Sequence, residues 1–297
     1  VFINIFFYRL AEHGTDRSAQ ILIFLLIIFM LDFINLEKYS KEKLENIIII
    51  LIIIISLKAF YILYFLFLIQ LILKIYEFRL KIKEFIKSKL TIGIALIAVI
   101  LFFNANFSNS GCIVYPVKDT CLDSLEWSLE KDKVSSMNDW YELWSKAGAT
   151  PNSRVDNPQE YIQKFNWVSN WINEYFFNKV LDFVLGIIFI IITFVVLFYE
   201  KKKVKNKKNF KFLFIYLLLF ILFFEWFYNH PSLRYGGFSL MALLFFLPAC
   251  KYLSSLEINK KRKNRMVYAL FVITVCVFTL RNVDRLHAEY TKYNYNP

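Results

Sequence analysis

The sequence contains little glycine, proline, cysteine or histidine. Its 297 residues include seven Gly, six Pro, four Cys and three His. So little glycine excludes a collagen-like chain, and four cysteines exclude a disulfide-rich miniprotein. Three histidines without metal-ligand spacing do not predict a zinc site. The motifs G-x-x-x-x-G-K-[ST], G-x-G-x-x-G, G-x-S-x-G and H-E-x-x-H are absent as well. We therefore expect no ATP-driven chemistry from this chain.

Apolar residues are what the sequence has in excess. They make up 58% of the chain, whereas a soluble domain of this size is about 45–50% apolar. An apolar helix of about 20 residues crosses a hydrocarbon core of about 30 Å. We predict an all-α, polytopic helical membrane bundle with about eight transmembrane segments and one mostly helical extracytoplasmic loop domain. The segments are 21–36, 45–57, 61–76, 90–104, 180–199, 211–227, 238–253 and 266–281.

The apolar stretch 47–73 can be read in two ways. One long helix would bury Lys58 at mid-height, which is costly, whereas two short helices would meet near Lys58 without a Gly or Pro to mark the break. The distribution of positive charge favours two helices. Loops then assigned to the inner side carry 22 of the 36 Lys and Arg residues, and the short outer segments carry 7. This pattern also explains the net charge of +12, so we expect no nucleic-acid partner.

The predicted topology places both termini on the outer side of the membrane. Five parts follow from it: an outer segment 1–20, also readable as the end of a preceding span, a first bundle 21–104, a loop domain 105–179, a second bundle 180–281 and an outer tail 282–297. Asp32 lies alone in the first span, where we expect it to pair with a neighbouring helix or to lie near the inner end.

The loop domain carries clear helix signals. Asn157 is a predicted N-cap, with Pro158 at the first helical position and Glu160 at the third. Apolar residues then recur at spacings of three and four up to Tyr175, which predicts one amphipathic helix lying on the membrane. Five of the six Trp lie in this domain, namely Trp127, Trp140, Trp144, Trp167 and Trp171. We favour a membrane-interface belt for them, and the alternative is an aromatic wall on which a sugar stacks.

Two cysteines, Cys112 and Cys121, lie in the loop domain. If this face is oxidising, they are close enough in sequence to form a disulfide, and the alternative is two unrelated thiols. Cys250 and Cys276 fall within predicted spans, where we expect small apolar packing residues.

The first candidate site is the polar run from Arg9 to Arg17. On a helix Glu12 and Asp16 would share a face, where they could bind a divalent cation such as Mg²⁺ or Mn²⁺, or one of them could act as a general base. Arg9 and Arg17 flank them as candidate phosphate or substrate ligands. The alternative is a solvated loop in which Asp16 caps a helix that begins near Ser18.

Two further candidates lie on the same predicted face. Lys58 could bind a phosphate or could simply reach the interface. The segment 225–237 contains His230, Arg234 and Tyr235 as candidate substrate ligands: Arg234 suits phosphate or carboxylate, and His230 could carry a proton near neutral pH. A turn would explain its Pro and Gly residues alone. We expect the three candidates to line one common chamber.

With these clusters, the chain resembles bacterial inner-membrane proteins of surface-polysaccharide assembly and, more broadly, the GT-C superfamily of integral-membrane glycosyltransferases. The residues that carry the resemblance are 9–17, 111–116 and 231–237. The resemblance implies a polyprenyl-phosphate-linked sugar donor bound from within the membrane. It also implies that Glu12 or Asp16 deprotonates the acceptor, while Arg234 and Lys58 stabilise the phosphate leaving group.

Three functions follow as hypotheses. The first is transfer of a sugar from a polyprenyl-phosphate donor to an envelope glycan or lipid acceptor. The second is a non-enzymatic transporter of a lipid-linked saccharide, and the third is a scaffold subunit of an envelope complex. Membrane lipid is an expected partner in each.

Overall fold

A computed structural model describes residues 1–7, 15–79, 89–149, 155–198, 210–254 and 260–293. Within these ranges the regular secondary structure is helical. The described residues contain no β-strand, and their β-type pairing is an isolated bridge between Cys112 and Cys121. The α-helices are α1 (Phe2–Phe6), α2 (Asp16–Ile34), α3 (Lys41–Leu57), α4 (Phe67–Glu77), α5 (Lys89–Ser110), α6 (Lys131–Lys146), α7 (Pro158–Ile162), α8 (Val168–Trp171), α9 (Leu181–Phe198), α10 (Phe210–Asn229), α11 (Gly237–Ser254) and α12 (Lys260–Tyr293). Short 3-10 helices cover Ala59–Leu66, Lys118–Thr120 and Leu233–Tyr235, and a π-helix covers Ile172–Val180.

Seven helices in the described ranges are long and apolar enough to cross a membrane, as expected of a multi-pass membrane protein. They are Asp16–Ile34, Phe60–Glu77, Thr91–Ser110, Val168–Phe198, Phe212–Asn229, Gly237–Ser254 and Lys260–Lys292. The remaining predicted segment, 45–57, lies in α3. The 17 residues of α3 extend over about 26 Å, which is less than the hydrocarbon thickness of a bilayer.

The stretch 47–73 is divided in two at Lys58. The backbone of Lys58 is extended (φ −159°, ψ 120°), so it ends α3 and begins the 3-10 helix Ala59–Leu66 that leads into α4. The prediction of two helices, made from charge alone, is therefore confirmed. The break leaves the lysine side chain at a helix end instead of inside a continuous span.

The described residues form two compact units. One comprises Thr15–Asp182 and Asn209–Leu244, and the other comprises Val1–Gly14, Phe183–Lys208 and Phe245–Pro297. In the first unit α2 packs on α3, which also packs on α5. The buried side of α2 repeats at helical spacing through Ala19, Ile23, Leu26, Ile27 and Met30, so this helix is the centre of the core.

The second unit is held at α1 by aromatic contacts. The Phe2 ring centre lies 4.8 Å from that of Phe6, 5.9 Å from that of Phe183 and 5.4 Å from that of Phe246. A guanidinium nitrogen of Arg281 on α12 donates a hydrogen bond to the Ile5 carbonyl at 2.6 Å. These contacts connect the first helix to residues far along the chain.

The helix predicted after Asn157 begins as expected but ends early. The Asn157 side chain accepts a hydrogen bond from the Glu160 N–H at 3.4 Å, as an N-cap does. However, α7 ends at Ile162, and Lys164 adopts a positive φ of 51° before α8 begins at Val168. The prediction of one continuous amphipathic helix is therefore wrong.

The membrane-belt interpretation is also wrong for two of the five tryptophans. Trp167 and Trp171 are buried inside the first unit, with 0% and 4% of their surface exposed. The Trp171 indole N–H donates a hydrogen bond to the Pro231 carbonyl at 2.8 Å. Trp171, whose N–H has a hydrogen-bond acceptor, is therefore part of the packing that supports the 231–237 segment.

Candidate functional site

Asp16 lies where two cations meet. One carboxylate oxygen accepts a hydrogen bond from the Arg234 Nε at 2.6 Å, and the other binds the Lys58 ammonium. Only 8% of the Asp16 side chain is exposed, against 28% for Lys58 and 57% for Arg234. These three residues, which are 42 and 218 positions apart in sequence, thus form one charged cluster with a net positive charge.

Two helix ends and one short turn bring these residues together. Asp16 is in the first turn of α2, where the helix dipole favours a negative charge. Lys58 is the residue at which α3 ends, and the Thr15 hydroxyl donates to the Leu57 carbonyl at 3.0 Å, which joins these two ends. Arg234 lies in the 3-10 turn Leu233–Tyr235. The alternative reading of the sequence, a solvated loop in which Asp16 caps a helix beginning near Ser18, is wrong, because Asp16 is itself helical and its carboxylate binds the cations.

Gln20, one turn below Asp16, fixes the position of the arginine turn. Its side-chain amide donates to the Arg234 carbonyl at 2.9 Å and to the Leu233 carbonyl at 3.4 Å, and its oxygen accepts from the Ser239 N–H at 3.0 Å. The residue is fully buried. Sequence reasoning missed Gln20, although a polar residue four positions after Asp16 on an otherwise apolar helix face was a usable signal.

Two aromatic residues also hold this turn through hydrogen bonds. The Tyr175 hydroxyl accepts from the Leu233 N–H at 2.9 Å, and the Trp226 indole N–H donates to the Ser232 carbonyl at 2.9 Å. Gly236 has a φ of +113°, which favours glycine, and a Cβ at Gly237 would lie 2.4 Å from the Trp226 ring. The glycine pair therefore serves both the turn and the close packing.

A cavity of ≈ 510 Å³ opens beside the cluster. Lys58 and Arg234 line it together with Asn138, His230 and Pro116, and its walls are aromatic: Phe60, Tyr115, Trp140, Tyr141, Trp144 and Tyr235. The Trp140 and Trp144 rings stack 6.3 Å apart, and Trp144 meets Tyr235 edge-on at 5.7 Å. The Lys58 ammonium lies 4.7 Å from the centre of the Tyr235 ring. A cavity of this size and composition suits a small polar ligand that has both an anionic group and an apolar face.

Burial sets the charge of two groups at the cavity. It lowers the pKa of Lys58 to about 8, and the Arg234 guanidinium contributes to the lowering. Burial, with the ammonium groups of Lys146 and Lys58 nearby, lowers the pKa of His230 to about 4. His230 is therefore neutral at neutral pH and offers a hydrogen bond but no positive charge. The prediction that His230 carries a proton near neutral pH does not agree with this lowered pKa. Its Nδ1 atom is buried, and no described residue hydrogen-bonds to it.

The structure brings together five of the predicted site residues: Asp16, Lys58, His230, Arg234 and Tyr235. Arg17 follows Asp16 on α2 and is not among the residues that line the cavity. Arg9 and Glu12 lie outside the described residues.

The predicted divalent-cation site depends on both Glu12 and Asp16. Both oxygens of Asp16 already accept hydrogen bonds from Lys58 and Arg234. In the part of the chain that the structure describes, no group of three or more His, Cys, Asp or Glu side chains is placed to hold a metal ion. A cation site at this position would therefore need Glu12 and a rearrangement of Asp16.

Cys112 and Cys121 are joined by a disulfide next to the cavity. The disulfide packs with Val134 of α6 and with Tyr115, which is one of the cavity walls. The Tyr115 N–H donates to the Asn106 side chain at 3.1 Å. The disulfide loop thus connects α5 and α6 and fixes one wall of the cavity.

Comparison with known proteins gives a family and no activity. The chain matches no curated protein, and no solved structure resembles it. One family model matches residues 1–241, a range that contains the charged cluster and the whole cavity lining. This chain therefore belongs to the family described as Domain of unknown function (DUF8201).

Proposed function

We propose that this protein is an integral-membrane glycosyltransferase. It would move a sugar from a polyprenyl-phosphate donor to an envelope glycan or lipid acceptor at the outer face of the bacterial inner membrane. The observation that carries the proposal is the convergence of Lys58 and Arg234 on a cavity with aromatic walls. The resemblance to GT-C enzymes agrees with it.

The two cations supply the phosphate-binding part of the site. Arg234 has a planar fork of N–H donors, of which Nε binds Asp16 while more than half of the side chain remains exposed. Lys58 adds a second charge directly beside the cavity. In glycosyl transfer the bond between the anomeric carbon and the phosphate oxygen breaks, and the phosphate leaves with the electron pair. Two adjacent cations stabilise the negative charge that develops there.

The aromatic walls supply the sugar-binding part. The stacked pair Trp140 and Trp144 and the edge of Tyr235 present flat apolar surfaces, against which the C–H face of a sugar ring packs. Asn138 and His230 offer polar groups on the same cavity. The sequence-based alternative of an aromatic wall for sugar stacking is therefore the reading that we propose for Trp140 and Trp144.

Asp16 is the group proposed to accept the proton of the acceptor hydroxyl. In the resting structure its oxygens bind Lys58 and Arg234. A donor phosphate that draws these two cations towards itself would release one carboxylate oxygen for the hydroxyl. The oxygen of that hydroxyl then attacks the anomeric carbon as Asp16 takes the proton.

A second candidate function is supported by the same ion cluster. A carboxylate that is neutralised by two cations is a poor base, so the site could bind and carry a lipid-linked saccharide without forming a new bond. Such a carrier would need the cations and the aromatic walls, but it would not need a proton acceptor.

Asp16→Asn and Asp32→Asn form a matched pair of variants that separates the two functions. Asp32 lies at the other end of α2, is 56% exposed and binds Lys43. If the protein is a glycosyltransferase, Asp16→Asn should lower the rate of sugar transfer from a labelled lipid-linked donor by about 100-fold or more. Asp32→Asn should leave this rate unchanged. Asp16→Asn removes the negative charge that pairs with Lys58 and Arg234, which can destabilise the fold. The thermal midpoints of Asp16→Asn and Asp16→Glu are therefore measured in parallel.

The outcomes of this experiment are distinct. Loss of transfer in folded Asp16→Asn, with partial activity in Asp16→Glu, supports catalysis by Asp16. Unchanged transfer in Asp16→Asn overturns its proposed role. If labelled saccharide crosses the membrane of proteoliposomes and no new glycosidic bond forms, the carrier function replaces the enzyme.

A further inference from the structure

A second cavity, of ≈ 640 Å³, runs between α3 and α5. Lys58 and Tyr115 line both this groove and the aromatic cavity, so the two spaces adjoin at these residues. The groove is thus continuous with the proposed phosphate site. Trp140 and Trp144 do not line it.

The groove follows a single face of α5. Its α5 lining includes residues at spacings of three and four: Ala98, Leu101, Phe102, Ala105, Asn106 and Asn109. On α3 the lining is Ile53, Ser56 and Leu57, with the same spacing. At 1.5 Å per residue, the α5 stripe extends over about 17 Å. This length suits an extended chain and exceeds what a compact headgroup needs.

Polarity changes along the groove. The far end, at Ala98, Leu101 and Ile53, is hydrocarbon only, whereas Asn106 and Asn109 lie towards the end near Lys58. Two alanines, Ala98 and Ala105, leave room where larger side chains would close the space. An apolar channel that ends at a lysine is complementary to a lipid with an apolar tail and one anionic headgroup.

We propose that this groove holds the hydrocarbon chain of a single-tailed lipid phosphate whose phosphate binds Lys58 and Arg234. The inference rests on the proposed function for the phosphate site, and it adds the path of the tail and the helices that select it. A tail that moves from bilayer lipid into the groove gains little hydrophobic free energy, because both surroundings are apolar. The groove therefore acts by aligning the head with the aromatic cavity, and its specificity depends on shape.

The test uses the full chain in lipid nanodiscs and farnesyl phosphate that carries a diazirine on its tail. Light-induced labelling should fall on α3 and α5 residues of the groove. Ala105→Trp, which fills the groove, should lose most of this labelling. Val99→Trp, at a 43% exposed position of α5 outside the lining, should retain it. Diazirine-labelled farnesol, which lacks the phosphate, should not label the groove selectively.

A parallel titration with glucose 1-phosphate separates the failure of this inference from that of the proposed function. The Ala105→Trp variant should bind this tail-free headgroup as the wild type does. Labelling that is unchanged by Ala105→Trp, or equal for farnesol, would mean bulk lipid contact only and would overturn the tail groove. If the wild-type chain does not bind glucose 1-phosphate or the farnesyl phosphate probe, the proposed phosphate site itself fails.

Discussion

The two ends of α2 carry similar ion pairs in different surroundings. At one end, Asp32 binds Lys43 at 2.5 Å, and both side chains are largely exposed. At the other end, Asp16 binds Lys58 and also Arg234, and its carboxylate is buried beside a cavity. An exposed pair contributes at most about 1 kcal/mol, and solvent can replace either partner. Burial, a second cation and an adjoining cavity therefore distinguish the Asp16 end and mark it as the candidate site.

The two ends of α2 should differ most in how much their polar contacts contribute to stability. Gln20→Leu leaves two carbonyls and one N–H without their buried partner near Asp16. It should lower the free energy of unfolding by about 2–4 kcal/mol, measured as a lower thermal midpoint in detergent. The matched control is Asn35→Leu at the Asp32 end, whose exposed amide donates to Leu31 within its own helix. Equal shifts for both variants would show that the Asp16 end is no more tightly held.

A smaller effect concerns what the cavity recognises. Trp144→Ala removes one aromatic wall and should weaken binding of sugar 1-phosphates by about tenfold, while the affinity for inorganic phosphate stays the same. Trp127→Ala removes a 55% exposed tryptophan outside the cavity lining and should change neither affinity. Calorimetric titration with glucose, galactose and N-acetylglucosamine 1-phosphates measures the difference. Equal loss of inorganic phosphate binding in Trp144→Ala would contradict a separate sugar-binding wall.

The sequence predicted the features that depend on local patterns. Apolar blocks of sufficient length locate the membrane helices, charge placement divides 47–73 at Lys58, and the Asn157 cap follows from its neighbours. The expected pairing of Asp32 with a neighbouring helix is confirmed, because Lys43 lies on α3. In each case the determining interaction lies within a few residues or follows from the bilayer itself.

The rest of the site depends on distant contacts. Gln20 binds residues more than 200 positions away, and Trp171 and Tyr175 bind the 231–233 segment about 60 positions away. A tryptophan at helical spacing looks the same in the sequence whether it meets lipid or a partner carbonyl. The break after Ile162 likewise depends on tertiary structure, since Lys164 adopts a positive φ of 51° and Trp167 is buried.

The pH dependence of glucose 1-phosphate binding tests whether Lys58 and Arg234 bind phosphate. Lys58, with a pKa of about 8, loses its charge as the pH rises, while a phosphate monoester is already a dianion above pH 7. Affinity should therefore fall about fourfold between pH 7 and pH 8.5 in the wild-type chain. Lys58→Arg keeps its charge and should show almost no change over this range. A wild-type affinity that is constant with pH, or a fall of the same size in Lys58→Arg, would contradict phosphate binding by Lys58.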